Sequence, residues 1–268
     1  MDTSKMSEII TYSTVLIECK YSDGSEGSGT GFIINLHDKD NNTIPSIVTN
    51  EHVVKDSIQT KFGFCKADNE GNPIDNQTQS VTYIGPAWKH HPDSAVDLMC
   101  LPITSFLESL ENTNTKVFYI PLEISMIPDK ETVDQLTAME DVIMVGYPIG
   151  LSDRYNNKPI IRKGITASHP KLDYQGKKDI LLDIASFPGS SGSPVFLLKD
   201  GLGHDETGVY YTSFFYLLGV LYCGPMFNAE GVLQFATLPS VPTPVLRIPI
   251  NLGVIIKSER LLEFESIL

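Results

Sequence analysis

Phe187-Pro188-Gly189-Ser190-Ser191-Gly192-Ser193-Pro194 is the stretch on which the reading of this chain turns. Three serines are interleaved with two glycines and two prolines, and aliphatic runs flank them at residues 180–184 and 195–198. Pro and Gly in such positions mark a tight loop between strands. A loop of this kind can hold one hydroxyl outward while neighbouring backbone N–H groups converge on one spot, which is what acyl transfer requires. Gly, Ser and Pro also dominate ordinary turns for conformational reasons alone. The loop therefore becomes a catalytic candidate only if the chain also supplies a base and an acid to orient it.

A serine hydroxyl is a poor nucleophile until a base removes its proton, and histidine is the side chain suited to that work. Of six histidines, His37, His90, His91, His169 and His204 fall in polar or proline-containing loops, where exposure is the default. His52 instead follows an apolar strand, in Ile47-Val48-Thr49-Asn50-Glu51-His52-Val53-Val54. Asp97 lies in the apolar run Ala95-Val96-Asp97-Leu98-Met99-Cys100-Leu101. A carboxylate there is costly to bury unless paired, so it reads either as a strand-end cap or as the group that fixes a histidine tautomer. Asp93, beside His91-Pro92, is the rival acid and reads as exposed.

Around these residues the chain has the texture of short strands. In the first half, residues 9–20, 32–34, 47–49, 81–84 and 96–101 read as strands, with Ile10, Val15 and Ile17 on apolar positions of the first. Residues 50–54 read as one helical turn, and the polar residues 68–80, with Gly71 and Pro73, as an exposed loop. In the second half, residues 141–147, 160–168, 180–184, 195–198, 214–223 and 253–256 read as strands. Pro148-Ile149-Gly150 breaks the series, residues 225–249 read as an elaborated loop, and residues 258–264 as a terminal helix N-capped by its serine. Many short strands punctuated by Gly and Pro argue for an all-β sandwich or a pair of barrels. Similar texture in both halves favours two barrels, with a boundary near residues 107–128.

The 268 residues suffice for one large or two small domains, and 41% hydrophobic with 9% aromatic content is ordinary for a globular protein. A net charge of −13 disfavours nucleic acid or an anionic membrane as partner. No segment approaches the roughly 18 apolar residues of a membrane span, and no apolar run of signal-peptide length follows the charged residues 1–8. Cys19, Cys65, Cys100 and Cys223 lack C-x-x-C spacing. The expectation is a soluble cytoplasmic protein with reduced, buried thiols, no metal and no cofactor.

In sum, the order His, Asp, Ser resembles trypsin-like serine proteases of the chymotrypsin clan, closest in flavour to HtrA-type and bacterial trypsin-like peptidases. Ser28-Gly29-Thr30-Gly31-Phe32-Ile33-Ile34 resembles their glycine-rich strand, and Val48-Thr49-Asn50-Glu51-His52-Val53-Val54 the segment carrying their histidine. Val96-Asp97-Leu98 resembles the aspartate strand, Val145-Gly146-Tyr147-Pro148 a strand end beside the active site, and Gly189-Ser190-Ser191-Gly192-Ser193-Pro194 the G-x-S-G-x-P nucleophile loop. The resemblance implies two six-stranded antiparallel β-barrels with the active site in the cleft between them and a short C-terminal helix. Residues 1–115 would carry His52 and Asp97, and residues 116–268 would carry Ser191.

By that match Ser191 is the nucleophile, His52 the general base and acid, and Asp97 the orienting carboxylate. The N–H groups of Gly189 and Ser191 form the oxyanion hole. Ala185, Ser186, Phe187, Leu221, Tyr222 and Cys223 line the primary pocket and offer no carboxylate, so a small or apolar P1 residue is expected rather than Arg or Lys. Val53 stands where secreted members have a cysteine, and Ser190 where zymogen-activated members have an aspartate, so activation by N-terminal cleavage is not expected. A protein or peptide substrate is implied, with a regulatory or effector protein as a further partner and a bacterial defence or signalling module as the setting. The alternative is a catalytically silent module of the same fold that binds peptides or scaffolds a partner.

Overall fold

The structure is a computed structural model that describes residues 6–85, 87–205, 208–224, 226–230 and 245–268. The first half holds nine strands in one sheet: β1 (Thr14–Tyr21), β2 (Glu26–His37), β3 (Thr43–Thr49), β4 (Ser57–Ala67), β5 (Pro73–Tyr83), β6 (Lys89–His90), β7 (Met99–Pro102), β8 (Val117–Phe118) and β9 (Leu122–Glu123). Their order is β5-β4-β1-β2-β3-β7-β6, with β8 on β4 and β9 running parallel to β2. The all-β architecture is as read, with nine strands in this half rather than six, because three two-residue strands add to it: β6, and β8 and β9 from the connector.

The second half holds β10 (Asp141–Gly146), β11 (Ile160–Thr166), β12 (Asp179–Asp183), β13 (Pro194–Asp205), β14 (Gly208–Cys223), β15 (Met226–Glu230), β16 (Val245–Pro249) and β17 (Leu252–Lys257). Six of these close a barrel in the order β10-β11-β12-β17-β14-β13. Val142, Met144, Ile180, Leu182, Ile184, Val195, Leu197 and Ile255 share one buried cluster inside it.

Strand β2 explains how the halves meet. Successive side chains of a strand point to opposite faces, yet Phe32, Ile33, Ile34 and Leu36 are all fully buried. Ile33 packs with Ile17, Ile47, Phe62 and Leu101 inside the first half. Phe32, Ile34 and Leu36 face the other way and pack with Val145, Phe196, Leu217 and Phe264 of the second. One apolar core thus runs across the boundary.

Several local readings are corrected. Residues 9–12 belong to a helix, α1 (Met6–Tyr12). The apolar alternation shifts phase between Tyr12 and Val15, and there Ser13 and Thr14 hydroxyls donate back to the Ile10 carbonyl, closing the helix. The loop at residues 68–80 is shorter than read: Asp68 and Asn72 pair across a turn with Gly71 at φ 87°, and β5 begins at Pro73. Strand β5 lies at the end of the sheet order and is largely exposed, so it lacks the apolar alternation that would have marked it. The ends of the loop at residues 225–249 pair as a ribbon, β15 with β16, and residues 225 and 231–244 lie outside the described residues.

The terminal helix is a 3-10 helix, Ser258–Ser266, whose N-cap is Lys257 rather than Ser258. Leu261 and Phe264 are fully buried, and a 3-10 turn stacks residues i and i+3 on one line. Three further helices are α2 (Glu51–Val54), α3 (Thr104–Asn112) and α4 (Lys130–Gln135), the last capped by Asp129 accepting from the Thr132 amide.

The four cysteines are free. Burial pushes the thiols of Cys19 and Cys100 up to about 11 and about 12. Cys223 departs from the expectation of buried thiols, being exposed at the end of β14. Among the described residues no helix is long and apolar enough to cross a membrane, and no group of His, Cys, Asp and Glu could hold a metal ion.

Candidate active site

His52 and Asp97 are brought together by strand register. Strand β3 pairs with β7 so that Val48 faces Cys100 and Thr49 faces Met99. Continued past both strand ends, that register sets Asp97 opposite residue 51. The chain turns into α2 at Asn50, and His52 swings over the carboxylate. Asp97 Oδ2 lies 2.5 Å from His52 Nδ1, and Asp97 Oδ1 accepts the His52 backbone N–H at 2.9 Å. The carboxylate therefore fixes both the ring and the backbone that carries it. With a proton on Nδ1 facing Asp97, Nε2 is left as the basic nitrogen.

Fully buried Asn50 donates from Nδ2 to the Asp97 carbonyl at 2.8 Å, tying the aspartate segment to the histidine turn. Asp93 is committed elsewhere. It accepts from the Ala95 amide and from Arg260 Nη2 at 2.7 Å, and these contacts hold its carboxyl below the usual range. His91, read as exposed, is buried: Nε2 donates to the Arg260 carbonyl, Nδ1 accepts the Asp93 amide, and the ring meets Phe264 edge-on. It is a satisfied core histidine.

In the loop before β13, hydrogen bonds fix the peptide planes one after another. A trans peptide is planar with its N–H and C=O pointing oppositely, so holding a carbonyl aims the amide of the same unit the other way. The Pro188 carbonyl accepts from Ile149 N at 2.6 Å, which aims the Gly189 N–H outward. The Ser190 carbonyl accepts from Ser193 N at 3.0 Å, which does the same for the Ser191 N–H. Neither amide has an acceptor among the described residues. Two backbone donors held in place without an acceptor can bind an anionic oxygen.

Two glycines make this geometry accessible. Gly189 has φ 85°, and a Cβ there would sit 2.8 Å from the Tyr147 carbonyl and 2.9 Å from Ile149 N. Gly192, also at φ 85°, lies against Thr30 and Thr49 of the first half. Ile149 holds its clamp from φ 49°, a left-handed conformation that β-branched residues rarely adopt. A groove of about 650 Å³ opens beside this turn, lined in part by Glu26, Gly27, Ser28, Ile149, Pro188 and Gly189.

The segments expected to line the primary pocket lie side by side. A Cβ on Gly253 would fall 2.6 Å from Ser186 Oγ and 2.7 Å from a Leu221 methyl, and one on Gly224 3.3 Å from Ser186 Cβ. Leu221 turns its side chain into the barrel core, while its backbone bonds Ser193 and Gly192. The Tyr222 hydroxyl donates to Asp179 Oδ2 at 2.8 Å, and burial raises the Asp179 carboxyl above its usual range. Arg162 donates from Nη1 to the Ala185 carbonyl and lies 5.0 Å from the Phe187 ring centroid. Cys223 is exposed.

Ser191 is partly exposed, and no hydrogen bond joins its hydroxyl to His52 Nε2 in this structure. What joins the loop to the histidine side is Thr30, whose N–H donates to the Ser191 carbonyl at 2.9 Å and whose carbonyl accepts from Thr49 Oγ1 at 2.7 Å. Thr30, Thr49, Asn50 and Ile149 were not singled out from the sequence. Only Thr30 carried a signal, its flanking Gly29 and Gly31, which mark close backbone approach.

A family model described as the trypsin-like peptidase domain matches residues 29–202. No curated protein matches the chain. Among solved structures, the chain is similar to a serine endoprotease from Yersinia pestis, with 16% identity and a TM-score of 0.47 over 97% of this chain and 63% of that one. It is also similar to a protease from M. tuberculosis in its active form, with 14% identity and a TM-score of 0.46 over 94% of this chain and 78% of that one.

Proposed function

Because the chain belongs to the trypsin-like peptidase family, we propose that it is a serine endopeptidase working through an acyl-enzyme. The observation that carries the proposal is the double hold of Asp97 on His52, which leaves Nε2 as the basic nitrogen. In this reading His52 takes the Ser191 proton as Oγ attacks the scissile carbonyl. The oxyanion settles on the Gly189 and Ser191 amides, and His52 returns the proton to the leaving amine. Water then repeats the sequence on the acyl-enzyme. The groove beside Gly189 gives the chain on the leaving-group side room to continue, which favours cleavage within a polypeptide. Asp97 stabilises the imidazolium and keeps its own charge.

The test is covalent labelling with a fluorophosphonate. The wild type is expected to be labelled at one site and Ser191→Ala not at all. Folded wild type that takes up no label would instead support the catalytically silent peptide-binding module, the reading favoured by the missing Ser191–His52 hydrogen bond. Catalytic hydrogen bonds are commonly long before substrate binds, which is why activity is preferred.

For specificity, Ala185, Ser186, Phe187, Leu221, Tyr222 and Cys223 supply no carboxylate to pair with a basic P1 residue. A peptide library is expected to show cleavage after small or apolar residues, and a profile dominated by Arg or Lys would overturn this. A role in releasing an effector within a defence or signalling module is part of the same proposal.

A further inference from the structure

Thr30 Oγ1 sits at a junction that the catalytic assignment leaves unused. It donates to the Gly189 carbonyl at 3.0 Å and accepts the Tyr147 N–H at 2.9 Å, and the residue is fully buried. The Gly189 carbonyl belongs to the one peptide unit lying between the two outward amides. The units before and after it are fixed by Ile149 and Ser193, and its own N–H, that of Ser190, donates to the Phe187 carbonyl at 2.9 Å, so Thr30 holds the free end of the unit that sets the angle between the two donors. The same Thr30 holds the Ser191 carbonyl through its backbone N–H. Tyr147 directly precedes the Pro148–Gly150 turn whose middle residue clamps Pro188. One hydroxyl therefore ties the strand from the first half to both sides of the oxyanion turn.

We propose that Thr30 is a positioning residue whose side-chain hydroxyl sets the mutual alignment of the Gly189 and Ser191 amides. The inference rests on the serine-nucleophile reading above. It differs from a purely architectural role in what it predicts: misaligned donors slow the reaction of every molecule, whereas a damaged fold removes some molecules and leaves the others at full speed.

The experiment is fluorophosphonate labelling of wild type, Thr30→Val, Thr30→Ser and Thr30→Cys, followed to completion, with rate and final amplitude recorded separately. Thr30→Val keeps the shape and removes the hydroxyl. It is expected to label about 100-fold more slowly, with full amplitude and an unchanged half-saturating probe concentration. Thr30→Ser, which keeps the hydroxyl, is expected to label at close to the wild-type rate. Thr30→Cys, with a weak S–H donor, should fall between them and carries the test if the valine variant does not fold. Wild-type rates in Thr30→Val or Thr30→Cys would overturn the proposal, as would equal slowing in Thr30→Ser and Thr30→Val, or a reduced amplitude at an unchanged rate. A wild type that fails to label would instead count against the peptidase reading.

Discussion

Replacing Asp97 with asparagine is expected to lower kcat/KM on a peptide substrate by about 10⁴-fold, a loss of about 5 kcal/mol of transition-state stabilisation. The fold should change little. Asparagine Oδ1 can still accept the His52 backbone N–H, and the Asn50 bond goes to the backbone of residue 97, which is unaltered. What changes is the atom 2.5 Å from His52 Nδ1, where a carboxylate oxygen becomes an amide nitrogen with two protons. A donor facing Nδ1 forces the ring's proton onto Nε2, and a protonated Nε2 cannot receive the serine proton. The check is a kinetic comparison of Asp97→Asn with wild type beside matched thermal melts. Turnover within tenfold of wild type would move the orienting role to another acid, although the Arg260 pairing of Asp93 leaves that residue poorly placed to take it.

Gly192→Ala is expected to destabilise the protein more than any other single methyl addition to the loop. At φ 85° an L-residue loses about 1–2 kcal/mol. The added Cβ would also fall inside van der Waals contact of the Thr30 carbonyl oxygen and 2.5 Å from Thr49 Oγ1. Both neighbours are buried, and the Thr49 hydroxyl already donates to that same carbonyl, so neither can move aside freely. Overpacking of this kind costs about 1–3 kcal/mol. The sum, about 2–5 kcal/mol, should lower the melting temperature by roughly 4–9 °C for a chain of this size. Labelling of Ser191 should be lost as well, because the Gly192 amide that binds the Leu221 carbonyl follows the displaced residue. A variant that melts within 2 °C of wild type would contradict the tight packing of loop against strand.

The pairing of His52 with Asp97 and the tight loop were legible because they place rare residues in unfavourable settings: a carboxylate in the apolar run at Asp97, a histidine behind the strand at His52, and alternating Gly, Ser and Pro at residues 188–194. The core of the second half was legible too, since β10, β12 and β17 are short, apolar and bounded by turn residues. Strand β5 was legible only at its end, residues 81–83, because an exposed end strand has no buried face to impose alternation on its sequence. Helix α1 was missed because Ile9-Ile10-Thr11-Tyr12 fits a strand as well as the last turn of a short helix. The roles of the Thr30 hydroxyl and of Ile149 were not legible for a different reason, although Gly29 and Gly31 marked the backbone at Thr30 as a close approach. Their contributions are a hydrogen-bond geometry and a backbone clamp, and neither constrains side-chain type enough to stand out in one sequence.

The bond between Thr30 and Gly189 closes across 159 positions of chain. During synthesis the histidine and aspartate can meet once β3 and β7 have paired, because they are only 45 positions apart. The oxyanion turn has to wait for the second half to emerge and dock, since long-range contacts form only after the cost of closing the intervening chain has been met. A polypeptide still on the ribosome would then pair His52 with Asp97 before residues 187–194 have met Thr30.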